Sequence, residues 1–210
     1  MHTVLTTYWV FGVGFIAQSL FGFRIFYQWW LAEKTKESVS PSLFWKFSLA
    51  ASALFLVYGI LRVDIVIILG QMVGYFIYIR NLQLKKEWNK FPGALQAVIV
   101  AIPFAALAWT FMMAGDVSIS DSLFQDMNPF FIAGISGQLL LNIRFIYQLY
   151  YSEQHSESIL PLGFWLLSLA GSILVVAYAI YRLDPVLMLA QGTAIVPYFR
   201  NIVLARGRAS

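Results

Sequence analysis

The residues in this sequence that most need a chemical reason are two arginines set in apolar surroundings. Arg24 stands in an apolar run from about residue 8 to 31, and Arg144 stands in another from about 129 to 151. Each lies about two turns from the polar end of its run, if the run is helical. A guanidinium in hydrocarbon costs roughly 2.5 to 3.5 kcal/mol on insertion scales, so it snorkels, pairs with an acid or serves a ligand. The nearby acids are Glu33 and Glu153. The ligand that suits the group is an anionic head group, because the planar fork of donors matches two phosphate oxygens. Arg80 and Arg200 end two later apolar runs on the same expected side, where two arginines per half could converge.

Amides form the second set. Gln28 and Gln148 belong to the arginine-bearing runs, Gln18 and Gln138 lie deeper in them, and Gln71 and Gln191 stand inside two further runs. An amide in hydrocarbon needs a partner, and a neighbouring helix supplies one at about 1 kcal/mol. Gluing helices together and lining a substrate cavity are both compatible with these positions. Arg62 with Asp64, and Arg182 with Asp184, read as turn-setting pairs worth about 0 to 1 kcal/mol each. Trp29, Trp30, Trp45, Tyr150 and Tyr151 read as interface anchors.

These residues recur in register. Gln18 to Leu84, moved by 120 positions without a gap, falls on Gln138 to Leu204 with 27 of 67 residues identical. The shared residues include every arginine and glutamine named above, Glu33 and Glu153, Pro41 and Pro161, Phe44-Trp45 and Phe164-Trp165, and Asn81 and Asn201. Apolar positions differ between the copies while many polar ones match. The polar matches are therefore the candidate site.

The composition sets the solvent in which that site works. Hydrophobic residues make up 60% of the 210 and charged ones 11%, which is a membrane composition. Seven spans are expected: 8 to 31, 42 to 61, 65 to 84, 94 to 114, 129 to 151, 162 to 181 and 185 to 204. The first carries Gln18 and Arg24 and lacks a basic leader, so it is expected to stay in the mature protein. Asp116, Asp121 and Asp126 fall in a loop without Lys or Arg, whereas Lys85, Lys86 and Lys90 precede the fourth span. The positive-inside bias then places the N-terminus outside and the C-terminus in the cytoplasm.

The expected fold is all-α and integral to the membrane, with seven transmembrane helices as a three-plus-one-plus-three parallel repeat. Residues 1–90 form the first three-helix repeat, 91–127 a linker helix and outer loop, and 128–210 the second repeat. The linker is needed because three spans invert a unit and a fourth crossing restores its orientation. Polar loops from Glu33 to Pro41 and from Glu153 to Pro161 join the first two spans of each unit, with proline at the start of the next helix.

Enzymatic motifs are not evident. His2 and His155 lack partners at metal spacing, the acids lie in loops or turns, and no Gly-rich phosphate loop follows a strand. The absence of cysteine excludes disulfides and thiol chemistry. No cofactor, metal or nucleic-acid partner is expected, and the charge of +4 follows from topology.

Gln-x5-Arg-x2-Tyr-Gln, the Glu-Ser-x2-Pro loop, Phe-Trp, Tyr-x3-Arg-x-Asp and the terminal Arg-Asn occur in both copies. In these motifs each copy resembles the lipid A biosynthesis N-terminal domain, a membrane domain of some bacterial lipid-A-disaccharide synthases that also occurs free-standing. A more distant resemblance is to the SWEET and PQ-loop transporters, which use the same three-one-three order. Tyr27-Gln28 and Tyr147-Gln148 stand where those carry Pro-Gln, and the missing proline sets aside a hinge of that kind.

The resemblance implies a bacterial inner-membrane protein of lipid A biosynthesis or modification. The expected activity is non-enzymatic: binding a phosphorylated lipid or lipid-linked sugar, with translocation as its extension. The alternatives are a scaffold that recruits a glycosyltransferase, or participation in disaccharide synthesis itself. Arg24, Gln28, Arg80, Arg144, Gln148 and Arg200, with Gln18, Gln138, Gln71 and Gln191, are the expected substrate-binding residues.

Overall fold

The computed structural model describes residues 2–62, 65–114, 129–183 and 185–206, and all the regular secondary structure among them is helical. The helices are α1 (His2–Thr35), α2 (Ser42–Arg62), α3 (Ile65–Leu84), α4 (Gly93–Ala114), α5 (Pro129–Gln154), α6 (Leu162–Arg182) and α7 (Pro185–Arg206). A single 3-10 turn, Trp88–Lys90, precedes α4. Asp64, Asp184, Asp116, Asp121 and Asp126, which carried the expected turns and the acidic loop, lie outside the described residues.

Proline and left-handed residues punctuate the helices. The carbonyls of Pro41 and Pro161 accept the N–H groups of Phe44 and Phe164, both at 3.0 Å, opening α2 and α6. Lys36, Lys86, Ser156 and Leu183 take positive φ after α1, α3, α5 and α6. After α5 this lets the N–H groups of Ser156 and Glu157 reach back to the Glu153 and Ser152 carbonyls, covering acceptors that a helix end would leave open.

Among the described residues, three helices are long and apolar enough by themselves to cross a bilayer: Ser42–Arg62, Gly93–Met113 and Leu162–Tyr181. α1, α3, α5 and α7 carry the arginines and glutamines at issue within their length. The chain is thus all-α and membrane-associated.

The residues gather into two compact units. One comprises Met1–Arg24 and Pro41–Val117, the other Ile25–Ser40 and Ser118–Ser210. In the first, α2 packs on α3 and α4, and α3 packs on α4. Phe21 meets Phe55 and Phe23 meets Phe47, fixing the part of α1 in this unit to α2. Pro103 lies inside α4 and has no N–H to offer the Ile99 carbonyl four residues back. The Tyr75 hydroxyl donates to that carbonyl at 2.9 Å.

In the second unit α6 packs between α5 and α7. Gly137 and Gly171 make the α5–α6 crossing possible, because a Cβ on Gly137 would stand 2.7 Å from the Gly171 carbonyl oxygen. Small residues at such a crossing let two backbones approach in an apolar solvent. The matching positions of the other copy are Ala17 and Ala51, both fully buried.

Candidate functional site

Both apolar-set arginines turn inward. Arg24 is 4% exposed and Arg144 7% exposed. Nη1 of Arg24 donates to Ser48 Oγ at 2.5 Å, and Nη1 of Arg144 donates to Ser168 Oγ at 2.9 Å. Each serine passes its own proton to the carbonyl one turn back, Phe44 or Phe164, so its lone pairs face the guanidinium. Aromatic faces complete both enclosures. Arg24 lies 4.6, 5.1 and 5.5 Å from the ring centres of Phe21, Phe44 and Tyr78. Arg144 lies 4.9, 5.3 and 5.4 Å from Phe145, Phe164 and Tyr198. Such faces stabilise a cation where water is scarce.

The donors of Arg144 divide unevenly. Nη1 uses Ser168 and the Tyr198 hydroxyl, the latter at 3.1 Å. The buried Nε–H has no hydrogen-bond partner among the described residues, and Nη2 makes no hydrogen bond to them either. Nε and Nη2 form the side-on fork of a guanidinium, the edge that takes two oxygens of one anion. Arg144 forms no ion pair with a described carboxylate. Arg200 shows the same edge in use: its Nε and Nη2 hold the two oxygens of Glu33, the second at 3.0 Å. The Arg200 hydrogen bonds, helped by Lys36, hold the Glu33 carboxyl down at about 2.

Gln28 and Gln148 are fully buried. Gln28 exchanges two hydrogen bonds with Asn201, at 2.8 and 3.1 Å, and its Nε2 also donates to the Val39 carbonyl at 3.1 Å. Gln148 Nε2 donates to the Ile159 carbonyl and to Ser152 Oγ. Both glutamines therefore tie the end of a helix to the loop eleven residues later. Gln71 and Gln191 accept protons from Ser52 and Ser172, each at 2.9 Å. Gln18 and Gln138 are exposed. Arg80 is exposed and its Nη1 donates to Gln83.

Sequence reasoning passed over Ser48, Ser168, Tyr78 and Tyr198, although all four match between the copies. That identity is the signal that finds them. It also marks Ser52 and Ser172, which bond the third-helix glutamines.

The chain is all-helical and membrane-associated, with two buried, aromatic-walled guanidiniums at equivalent positions of a duplicated segment. The chain belongs to the Lipid A Biosynthesis N-terminal domain family, whose model matches it twice, over residues 13–83 and 133–203. Curated relatives include the lipid-A-disaccharide synthase of Chlamydia pneumoniae, 26% identical over 94% of this chain and 33% of the relative. The synthases of Chlamydia abortus (strain DSM 27085 / S26/3) and Chlamydia trachomatis serovar D are each 27% identical, covering 92% and 97% of this chain. The chain spans about a third of the length of these relatives. No solved structure matches it.

Proposed function

We propose that this protein serves lipid A biosynthesis or modification in the bacterial inner membrane by binding a phosphorylated lipid or lipid-linked sugar and moving its head group across the membrane. The observation that carries this reading is the fork of Arg144, a buried cation whose bidentate edge engages no described residue. A phosphate satisfies two donors and neutralises a charge that the aromatic walls only soften. Arg24, bonded to Ser48 in the same way, supplies the equivalent position in the other copy.

Depth supports translocation over surface binding. Arg144 lies seven residues before the expected end of its span at about residue 151, about 10 Å along the axis at the usual rise per residue. A phosphate of a resting lipid stays at the interface, so a phosphate held there has left it. In the expected three-plus-one-plus-three repeat, with N-terminus outside and C-terminus inside, each copy carries one such station.

The test is lipid binding by purified wild type, Arg24→Lys and Arg144→Lys, with polyprenyl-phosphate sugar and lipid A precursors as ligands. Lysine keeps the charge and loses the fork, so binding falls about tenfold or more, the worth of one charge-assisted hydrogen bond. Equal binding by all three proteins overturns the head-group assignment. A second reading, a scaffold for a glycosyltransferase, is favoured by the synthases in which this domain is a third of a longer chain. It predicts tolerance of both substitutions and failure when Lys85, Lys86 and Lys90 are replaced.

A further inference from the structure

A second place on the molecule has the chemistry of a lipid site, and it lies outside the arginine enclosures. A groove of about 540 Å³ runs beside the start of α4, lined by Gln83, Trp88, Gly93, Ala97, Val100 and Ala101. Gly93, Ala97 and Ala101 are four residues apart and share one face of the helix, where their small side chains leave the space unfilled. The walls are held in place. Gln96 Nε2 donates to the carbonyls of Trp88 and Phe91, at 3.2 and 2.9 Å, pinning the 3-10 turn to the first turns of α4. Trp88 is itself buried. The groove therefore opens along a helix long and apolar enough to cross a bilayer, at the end where that helix begins.

The charge beside it is net positive. Lys85, Lys86 and Lys90 stand on the segment that joins Gln83 to Gly93. The only acid there, Glu87, bonds Lys46 at 2.6 Å and Lys90 at 2.5 Å. Its hydrogen bonds, from Lys46 first and Lys90 second, hold its carboxyl down at about 2, so it stays charged at any physiological pH. Four lysines against one glutamate leave three net positive charges. Lys86, in the left-handed position after α3, is exposed and pairs with no described carboxylate.

We propose that this groove binds an anionic glycerophospholipid, one acyl chain lying along Gly93, Ala97 and Ala101 and the phosphate beside Lys86 and Lys90. A second copy of the chain is a poorer occupant, because a twofold pairing through this face brings two lysine clusters together. A lipid with a negative head group meets both halves of the surface at once: basic pockets beside membrane helices bind such head groups, at about fivefold in affinity per lysine. The site is independent of the proposed substrate stations and leaves their arginines untouched.

The experiment is native mass spectrometry of the full chain released from micelles doped with phosphatidylglycerol or phosphatidylcholine. Wild type retains phosphatidylglycerol preferentially. Lys86→Gln weakens that retention about fivefold. Ala97→Leu fills the groove from an exposed position, so the fold stands while phosphatidylglycerol is lost. Equal retention of the two lipids by wild type overturns the proposal, as does unchanged phosphatidylglycerol binding in Ala97→Leu, or a wild-type dimer that Ala97→Leu disperses.

Discussion

Gln28 can be a structural tie or a ligand for substrate, and a double-mutant cycle with Asn201 separates the two. Both residues are fully buried and exchange two hydrogen bonds, and Gln28 makes a third to the Val39 carbonyl. Gln28→Leu removes all three and leaves the Asn201 carbonyl oxygen and the Val39 carbonyl short of donors. At about 1 kcal/mol per bond the loss is about 3 kcal/mol. Asn201→Leu removes the reciprocal pair and its bond to the Pro197 carbonyl, so its cost is similar. In the double variant the two amides no longer strand one another, and the penalty that each single change pays for an orphaned partner disappears. The expected coupling is about 1 to 2 kcal/mol, in the range for residues in direct contact. Unfolding titrations with a denaturing detergent measure it. Strictly additive losses refute the reciprocal amide pair. Lipid binding that is abolished in the double variant while stability recovers refutes the structural role and makes Gln28 a ligand.

The Glu33–Arg200 pair gives a pH signature. Glu33 titrates lower folded, at about 2, than its ordinary 4.5, so its contribution is full above pH 4.5 and fades as pH falls toward 2. The stability gap between wild type and Glu33→Gln, followed by the same titration, should close over that window, and a gap constant with pH contradicts the pairing. Gly137→Ala should destabilise by about 1 to 3 kcal/mol, since its Cβ would stand 2.7 Å from a backbone oxygen that has no rotamer to escape into. A neutral change in melting temperature argues against so close a crossing. Single cysteines at Ser120 and Ser210 of this cysteine-free chain should react with an impermeant maleimide from opposite sides of the membrane, the former from outside. Reaction of both from one side ends the seven-span topology.

The helices were legible in the sequence because apolar runs bounded by proline and charge are long-range statements about solvent. The expected 65 to 84 is α3 itself, and the limits of α2, α4, α6 and α7 fall within two residues of expectation. The first run is the instructive exception. Hydropathy ends near residue 31, yet α1 continues to Thr35 through Glu33 and Lys34. Polarity marks where a membrane would end, whereas Glu and Lys are good helix formers, and the helix stops only where Lys36 turns left-handed. The pairing of Glu33 with Arg200, 167 positions away, was not legible. Periodicity assigns a face to a residue but cannot name its partner on another helix, and Arg24 was the nearer candidate for Glu33.

The serines were hidden for a different reason. In an apolar helix a hydroxyl can satisfy itself on the carbonyl one turn back, so Ser48 and Ser168 look like neutral filler. That same back-bond is what equips them to receive an arginine: with the proton committed to the helix, the oxygen offers only lone pairs. A neutral acceptor orients a guanidinium without cancelling its charge. Glu33 on Arg200 shows the contrary arrangement, in which a carboxylate neutralises the cation and occupies its fork. The difference divides the arginines of this chain by role. Arg200 is an internal clasp, whereas Arg144, oriented through Nη1 by Ser168 and Tyr198, keeps a bidentate edge that engages no described residue, and it is on that edge that the proposed head-group binding rests.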